Sequence, residues 1–138
     1  MAKHDVTIFH NPNCGTSRNT LALIREAGVE PEVVEYLKTG WTADQLKGLF
    51  KTMGVKPSAA LRVNGTDAEA KGLTSPSATD AALIKAMAAD PILVNRPIVV
   101  TPRGATLCRP VEKVVALLSD EAQAILRAKG LPTPKNQS

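Results

Sequence analysis

A cysteine within the segment HNPNCGTSRNT, residues 10–20, is the first candidate for chemistry in this chain. Cys14 stands between a short apolar run, DVTIF, and a segment with the pattern of a helix. A thiol at a helix start lies near unsatisfied backbone N–H groups and the positive end of the helix dipole. Both favour the thiolate, so the position predicts a reactive sulfur. A small buried side chain without chemistry is the alternative.

Two neighbours of this cysteine could tune it. Ser17 occupies the place of the second cysteine in a C-x-x-C motif, so a dithiol site is absent from this segment. The Ser17 hydroxyl could donate a hydrogen bond to the sulfur, or cap the helix as Thr16 could. His10, if protonated, could stabilise the thiolate, or it could carry a proton to a leaving group. A histidine bonded only to backbone is the alternative.

Three arginines are candidates for binding an anion: Arg62, Arg96 and Arg109. The last two each precede a proline at a predicted strand boundary. A guanidinium fork matches a tetrahedral oxyanion better than a lysine does, although a solvated surface charge is the alternative for each arginine. The net charge of +4 suits a small anionic substrate. The sequence contains no Lys/Arg run of the kind that marks a nucleic-acid-binding tail, so we expect no nucleic-acid partner.

The elements that must position these residues follow an α/β order. A strand over 6–10, a helix over 16–28 and a strand over 31–37 predict a βαβ unit with parallel strands. Strands over 96–101 and 105–109 predict a hairpin that turns at Gly104. The segments that complete the pattern are a helix over 42–54 with a Thr42–Gln45 capping box, a short helix or turn over 56–65, a helix over 77–90 capped near Thr79, a helix over 110–118 and a helix over 119–130 capped by Ser119.

This order is similar to that of thioredoxin-like proteins, with a mixed sheet and a helical insertion at about 42–90. With 138 residues, the chain predicts a single domain over 1–131 and a flexible tail over 132–138. We expect a monomer. We also expect no transmembrane helix, because no run of 18 apolar residues occurs. The N-terminus lacks the apolar region of a secretory signal, and two cysteines far apart in sequence are typical of reduced thiols, so we expect a cytoplasmic protein.

Three stretches resemble motifs of the glutaredoxin-linked arsenate reductase family, in the family's order: HNPNCGTSRNT, ALRVN and PILVNRPIVVTPRGATLCRP. The resemblance covers residues 4–118. It implies a thioredoxin-like fold with a helical insertion, a cis Arg96–Pro97 bond and a cytoplasmic role in arsenical resistance. The segment RVNGTDAEAKGL departs from the family's pattern, which has an acidic residue and a tyrosine shortly after the first arginine.

The resemblance implies that arsenate is reduced to arsenite, with glutathione as co-substrate and glutaredoxin as partner, and with no bound cofactor or metal. Cys14 matches the family's nucleophile, and His10 and Ser17 match the residues that tune it. Arg62, Arg96 and Arg109 match the arginines that hold the oxyanion.

Other functions remain open at this stage. A relative with the same fold could reduce another substrate with glutathione, bind glutathione as a monothiol glutaredoxin does, or regulate transcription by binding RNA polymerase. A low-molecular-weight phosphatase type of reductase is excluded, because it needs C-x5-R and the sixth residue after Cys14 is Thr20.

Overall fold

The structure of the chain is a computed structural model that describes residues 6–131. The described part divides into two compact units. We call residues 6–35 together with 96–131 the sheet unit, and Tyr36–Asn95 the helical unit. The single domain over 1–131 with an insertion at 42–90 stays a prediction. The tail predicted over 132–138 lies outside the described residues.

The sheet unit contains a four-stranded mixed sheet in the order β2-β1-β3-β4. Its strands are β1 (Thr7–Phe9), β2 (Glu32–Val34), β3 (Ile98–Thr101) and β4 (Gly104–Leu107). The first two strands are parallel and flank a helix in sequence, which confirms the predicted βαβ unit. β3 pairs antiparallel with both β1 and β4, so the predicted hairpin is also confirmed. The mixed sheet confirms the α/β class.

Helices in the two units follow most of the predicted segments. The α-helices are α1 (Gly15–Glu26), α2 (Tyr36–Thr39), α3 (Ala43–Met53), α4 (Asp80–Ala89) and α5 (Asp120–Ala128), and the 3₁₀ helices are Pro57–Ala60, Pro91–Leu93 and Val111–Leu117. Among the helices of residues 6–131, none combines the length and the hydropathy that crossing a bilayer requires.

The core of the sheet unit is aliphatic. Ile8 of β1 lies opposite Val99 of β3, and both side chains are completely buried. Helices α1 and α5 contribute Ile24 and Leu126 to the same cluster. Burying side chains of this size stabilises the fold by about 1.5–3 kcal/mol each. This core fixes the strands whose ends carry the candidate site residues.

Two predicted elements differ from the structure. The strand predicted over 31–37 ends at Val34, because Tyr36 begins α2. The Tyr36 hydroxyl donates a hydrogen bond to the Val94 carbonyl. The α-helix predicted over 110–118 is a 3₁₀ helix with bonds three residues apart, such as the one from the Lys113 N–H to the Pro110 carbonyl.

The helical unit is built around α3 and α4. Thr42 begins α3 with the predicted capping box, in which its hydroxyl accepts from the Gln45 N–H and the Gln45 side chain accepts from the Thr42 N–H. Thr79 caps α4 as predicted, by accepting from the Ala82 N–H. Gly54 ends α3 in the left-handed conformation, with φ of 72°, which a glycine adopts without strain. Local sequence signals therefore define the ends of α3 and the start of α4.

We expect Thr42→Ala to lower the free energy of unfolding by about 1 kcal/mol, because the substitution removes the hydroxyl that caps α3. Thr52→Ala is the matched control. Thr52 is exposed inside the same helix and bonds only to the Gly48 carbonyl, and alanine favours the helix more than threonine does. Urea denaturation measures both variants, and equal stabilities would contradict the prediction.

Candidate active site

Three segments meet at one end of the mixed sheet. Phe9, the last residue of β1, pairs with Ile98, the first residue of β3. Ile98 in turn pairs with Leu107, the last residue of β4. Because these pairs are antiparallel, the chain leaves β1 and β4 at the end of the sheet where it enters β3. The Cys14 loop, Arg96 and Arg109 therefore lie at one end of the sheet.

The loop between β1 and α1 is a tight turn closed by backbone bonds. The Cys14 N–H donates to the Asn11 carbonyl at 3.0 Å, and the Cys14 carbonyl accepts the Arg18 N–H at 3.0 Å. The Arg18 side chain also donates to the Pro12 carbonyl at 2.9 Å. Cys14 is thus the N-cap residue of α1, and the prediction of Thr16 or Ser17 as the cap is wrong. The helix starts earlier because the turn ends at the cysteine itself.

Two guanidinium groups converge on the Cys14 sulfur. Nη1 of Arg109 lies 3.9 Å from Sγ and donates a 3.0 Å hydrogen bond to the Arg96 carbonyl. The Arg96 side chain is only 9% exposed, and it lowers the pKa of the Cys14 thiol through hydrogen bonding and through its charge. The structure thus brings together three of the predicted site residues, from segments up to 95 positions apart.

The balance of burial and charge decides the state of the thiol. Burial raises the pKa of Cys14, whereas the Arg96 hydrogen bond, the Ser17 backbone N–H, the Arg96 charge and the Arg109 hydrogen bond lower it, with a resulting pKa of about 7. The Cys14 side chain forms no cap hydrogen bond of standard geometry, so the Ser17 N–H acts mainly through its dipole. Near neutral pH a large fraction of the sulfur is thiolate.

His10 and Ser17 contact each other instead of the sulfur. Nδ1 of His10 lies 2.6 Å from Oγ of Ser17, and the same oxygen accepts the Asn11 N–H at 3.0 Å. The predicted hydrogen bond from the Ser17 hydroxyl to the thiolate is therefore replaced by the bond to His10. Burial lowers the pKa of His10 from 6.5, so the neutral ring dominates near pH 7. A protonated His10 is then a minor source of thiolate stabilisation.

Arg62 and Cys108 are described by their own surroundings. Arg62 belongs to the helical unit, where its N–H donates to the Leu93 carbonyl and its Nε donates to the Asn64 carbonyl. Its predicted contact with an oxyanion stays a prediction. Cys108 is completely buried, and burial raises the pKa of its thiol to about 12. This second cysteine is therefore an inert core residue near neutral pH.

Sequence reasoning missed two features of this end of the sheet. Asn11 is 3% exposed and bonds to the Cys14 turn, although only the Asn-Pro pair marked its position. The Arg96–Pro97 bond is cis, as the resemblance implied, and the Arg109–Pro110 bond is cis as well.

Within residues 6–131, no group of three or more His, Cys, Asp or Glu side chains could hold a metal ion.

Comparisons with known proteins agree on one family. The model of the ArsC family matches residues 9–117. The arsenate reductase ArsI1 of Synechocystis sp. is 51% identical over 118 residues, which is 86% of this chain and 82% of that protein. An arsenate reductase of Rhizobium meliloti is 47% identical over 91% of this chain and 96% of its own length. The structure of an arsenate reductase from Vibrio cholerae has a TM-score of 0.78 and 38% identity, and the match covers 82% of this chain and 97% of that one.

We expect the alkylation rate of Cys14 by iodoacetamide to be half-maximal near pH 7, because the thiolate is the reacting form and its pKa is about 7. Arg96→Ala should move this midpoint to higher pH. Burial raises the pKa of Cys14, and the substitution removes the side chain that lowers this pKa most. Cys108 should not contribute, because burial raises the pKa of its thiol to about 12.

Arg103→Ala is the matched control for this titration. Arg103 donates to Asp120 at 2.8 Å on the surface, so its loss should leave the midpoint where it is in the wild type. A midpoint near the free-cysteine value of about 8.5 in the wild type would contradict the assignment of the sulfur to a cationic site.

Proposed function

The chain belongs to the ArsC family and is an arsenate reductase with a thioredoxin-like α/β fold, and from this premise we propose that Cys14 is the catalytic nucleophile. Arg96 and Arg109 bind the oxyanion beside it, and Arg62 contributes a third cation. His10 and Ser17 act as a hydrogen-bonded pair that positions the loop behind the sulfur.

One observation carries this proposal: two arginines converge on a buried thiol at the start of a helix. Arsenate carries one to two negative charges near neutral pH, and the thiolate adds another. Two unit charges 4 Å apart repel each other by about 4 kcal/mol at an effective dielectric constant of 20. Fixed guanidinium groups offset this repulsion and supply donors to the arsenate oxygens. The same groups therefore activate the nucleophile and admit its anionic substrate.

In the first step, the Cys14 thiolate attacks As(V) and forms an S–As bond. One As–O bond breaks, and the departing oxygen takes up protons and leaves as water. The arginines balance the negative charge of the thiol–arsenate adduct. Neutral His10 is a candidate carrier for a proton to the leaving oxygen, acting through Ser17.

The reduction needs two electrons, which come from two external thiols. A glutathione thiol forms a second S–As bond and displaces a second water. A glutaredoxin thiolate then attacks the glutathione sulfur, so the electron pair of that S–As bond stays on arsenic and As(V) becomes As(III). The mixed disulfide leaves, and water cleaves the Cys14 S–As bond to release arsenite. We propose the cytoplasm as the compartment, because these thiols are kept reduced there.

An external reductant fits the placement of the two cysteines. Cys108 is buried in the core, and the high pKa of its thiol makes it a poor attacking group. Ser17 stands where a C-x-x-C motif would have its resolving cysteine. The chain therefore offers Cys14 no second thiolate, and a glutathione-linked cycle supplies one.

Cys14→Ser should abolish arsenite production, because a hydroxyl is a far weaker nucleophile than a thiolate near neutral pH. Cys108→Ala is the matched control and should retain most of the activity. The assay measures arsenite in the presence of arsenate, glutathione and glutaredoxin, and in parallel reactions that each omit one component.

Two results would contradict the single-cysteine cycle. One is substantial activity in Cys14→Ser, and the other is loss of activity in a folded Cys108→Ala protein. Arsenite production that is independent of glutathione would contradict the proposed reductant without affecting the assignment of Cys14.

Arg96→Ala and Arg109→Ala should each lower kcat/KM for arsenate by about 100-fold or more, as removal of a donor to a developing oxyanion does. The lysine variants at both positions should be nearly as impaired, because lysine keeps the charge but loses the guanidinium fork. Arg62→Lys should be the most tolerant variant, since the segment after Arg62 departs from the family's pattern.

Thermal unfolding of every variant separates loss of the site from loss of the fold, and Arg103→Ala serves as a surface control. Rates are compared at a pH above the thiol pKa of each variant, so that thiolate content does not differ between proteins. Lysine variants with wild-type kcat/KM would show that charge alone is sufficient, against the proposed role of the fork.

A further inference from the structure

Asn11 is a buried polar residue close to the catalytic cysteine in the chain. In the described part of the chain, only one end of the Asn11 side-chain amide is hydrogen-bonded. The Asn13 N–H donates to Oδ1 of Asn11 at 2.9 Å, which closes an Asx turn ahead of Cys14. The Asn11 carbonyl accepts the Cys14 N–H at 3.0 Å. The asparagine and the nucleophile therefore belong to one four-residue turn.

The bond to Oδ1 also identifies the other end of the amide, Nδ2, as a donor. Within residues 6–131, no protein group accepts a hydrogen bond from this nitrogen. Three side-chain atoms of residues 6–131 are both fully buried and without a hydrogen bond, and Nδ2 is not one of them. Because Nδ2 has no hydrogen bond in this part of the chain, it must be in contact with solvent. Asn11 is only 3% exposed, and its Nδ2 is thus an N–H donor without a protein acceptor among residues 6–131, three positions before Cys14.

A donor of this kind suits an oxyanion bound at the sulfur. A tetrahedral oxyanion has several oxygens to satisfy, and Nη1 of Arg109 already donates to the Arg96 carbonyl. A neutral amide adds an N–H without a further charge that would hold the product tightly. The Asx turn fixes its orientation, so little conformational entropy is lost on binding.

We infer that Nδ2 of Asn11 donates a hydrogen bond to an oxygen of arsenate bound at Cys14, which makes Asn11 a substrate-binding residue of the site. This inference rests on the proposed role of Cys14. The competing role for Asn11 is purely structural, because its side chain also closes the turn through Oδ1.

Two substitutions separate the donor from the turn. Asn11→Ser keeps an oxygen that can accept the Asn13 N–H, as serine does in turns, and it is neutral, but its only donor is a hydroxyl one bond nearer the backbone than Nδ2, so it lacks a donor at the amide position. Asn11→Asp keeps Oδ1 and the shape of the side chain, and it replaces Nδ2 with an oxygen that repels an anion. Asn19→Ser is the matched control, because Asn19 is exposed on α1.

The experiment measures kcat and KM for arsenate, the pH midpoint of Cys14 alkylation, and thermal unfolding for these variants and the wild type. We expect Asn11→Ser to lose about 10- to 100-fold in kcat/KM for arsenate, as loss of a hydrogen bond to a charged group does. Its alkylation midpoint should match that of the wild type. Asn11→Asp should lose more activity, and Asn19→Ser should lose none.

Asn11→Ser with wild-type kcat/KM would overturn the inference. A loss of activity accompanied by a shifted alkylation midpoint or a lowered unfolding temperature would overturn it as well, since the residue would then act through the turn. If the wild type itself produces no arsenite, or if Cys14→Ser retains activity, the proposed function fails instead, and the two failures are thereby distinguished.

Discussion

The contact between two guanidinium groups and one buried sulfur governs the chemistry of this protein. Burial alone would keep Cys14 protonated and unreactive, and the donors from Arg96 and Arg109 reverse that preference. Cys108 shows the outcome without such donors, because burial there raises the pKa of the thiol to about 12. Two cysteines in one small chain thus differ in reactivity because their surroundings differ.

The sheet makes this contact possible. The site residues come from the loop after β1, the segment before β3 and the segment after β4. Antiparallel pairing of β3 with both neighbours places these three chain ends together, and the aliphatic core around Ile8 and Val99 holds the strands in register. A shift of one residue along β3 would turn its side chains to the opposite face of the sheet. The register of short strands is therefore a condition for reactivity.

The loop before α1 contributes rigidity more than charge. His10, Asn11 and Ser17 form a buried hydrogen-bonded cluster behind the cysteine. Neutral His10 fits this arrangement, because burying a cation without a partner is costly. With the loop held by neutral hydrogen bonds, the positive charge beside the sulfur comes from Arg96 and Arg109. The neutral cluster thus holds the thiol in place, and the arginines lower its pKa.

The sequence alone was sufficient for the features that depend on local signals. The capping residues Thr42, Thr79 and Ser119, the βαβ unit and the hairpin follow from side-chain spacing and turn residues close together in the chain, and the motif around Cys14 indicated a nucleophile. Only the tertiary structure decided that Cys14 itself is the N-cap, that the Ser17 hydroxyl contacts His10, and that Asn11 is buried beside the thiol. In each case several polar groups could bond to the same partner. Which bond forms depends on distances in the folded protein, and no local sequence pattern encodes those distances. The meeting of Cys14 with Arg109, 95 residues apart, likewise needs the register of the whole sheet.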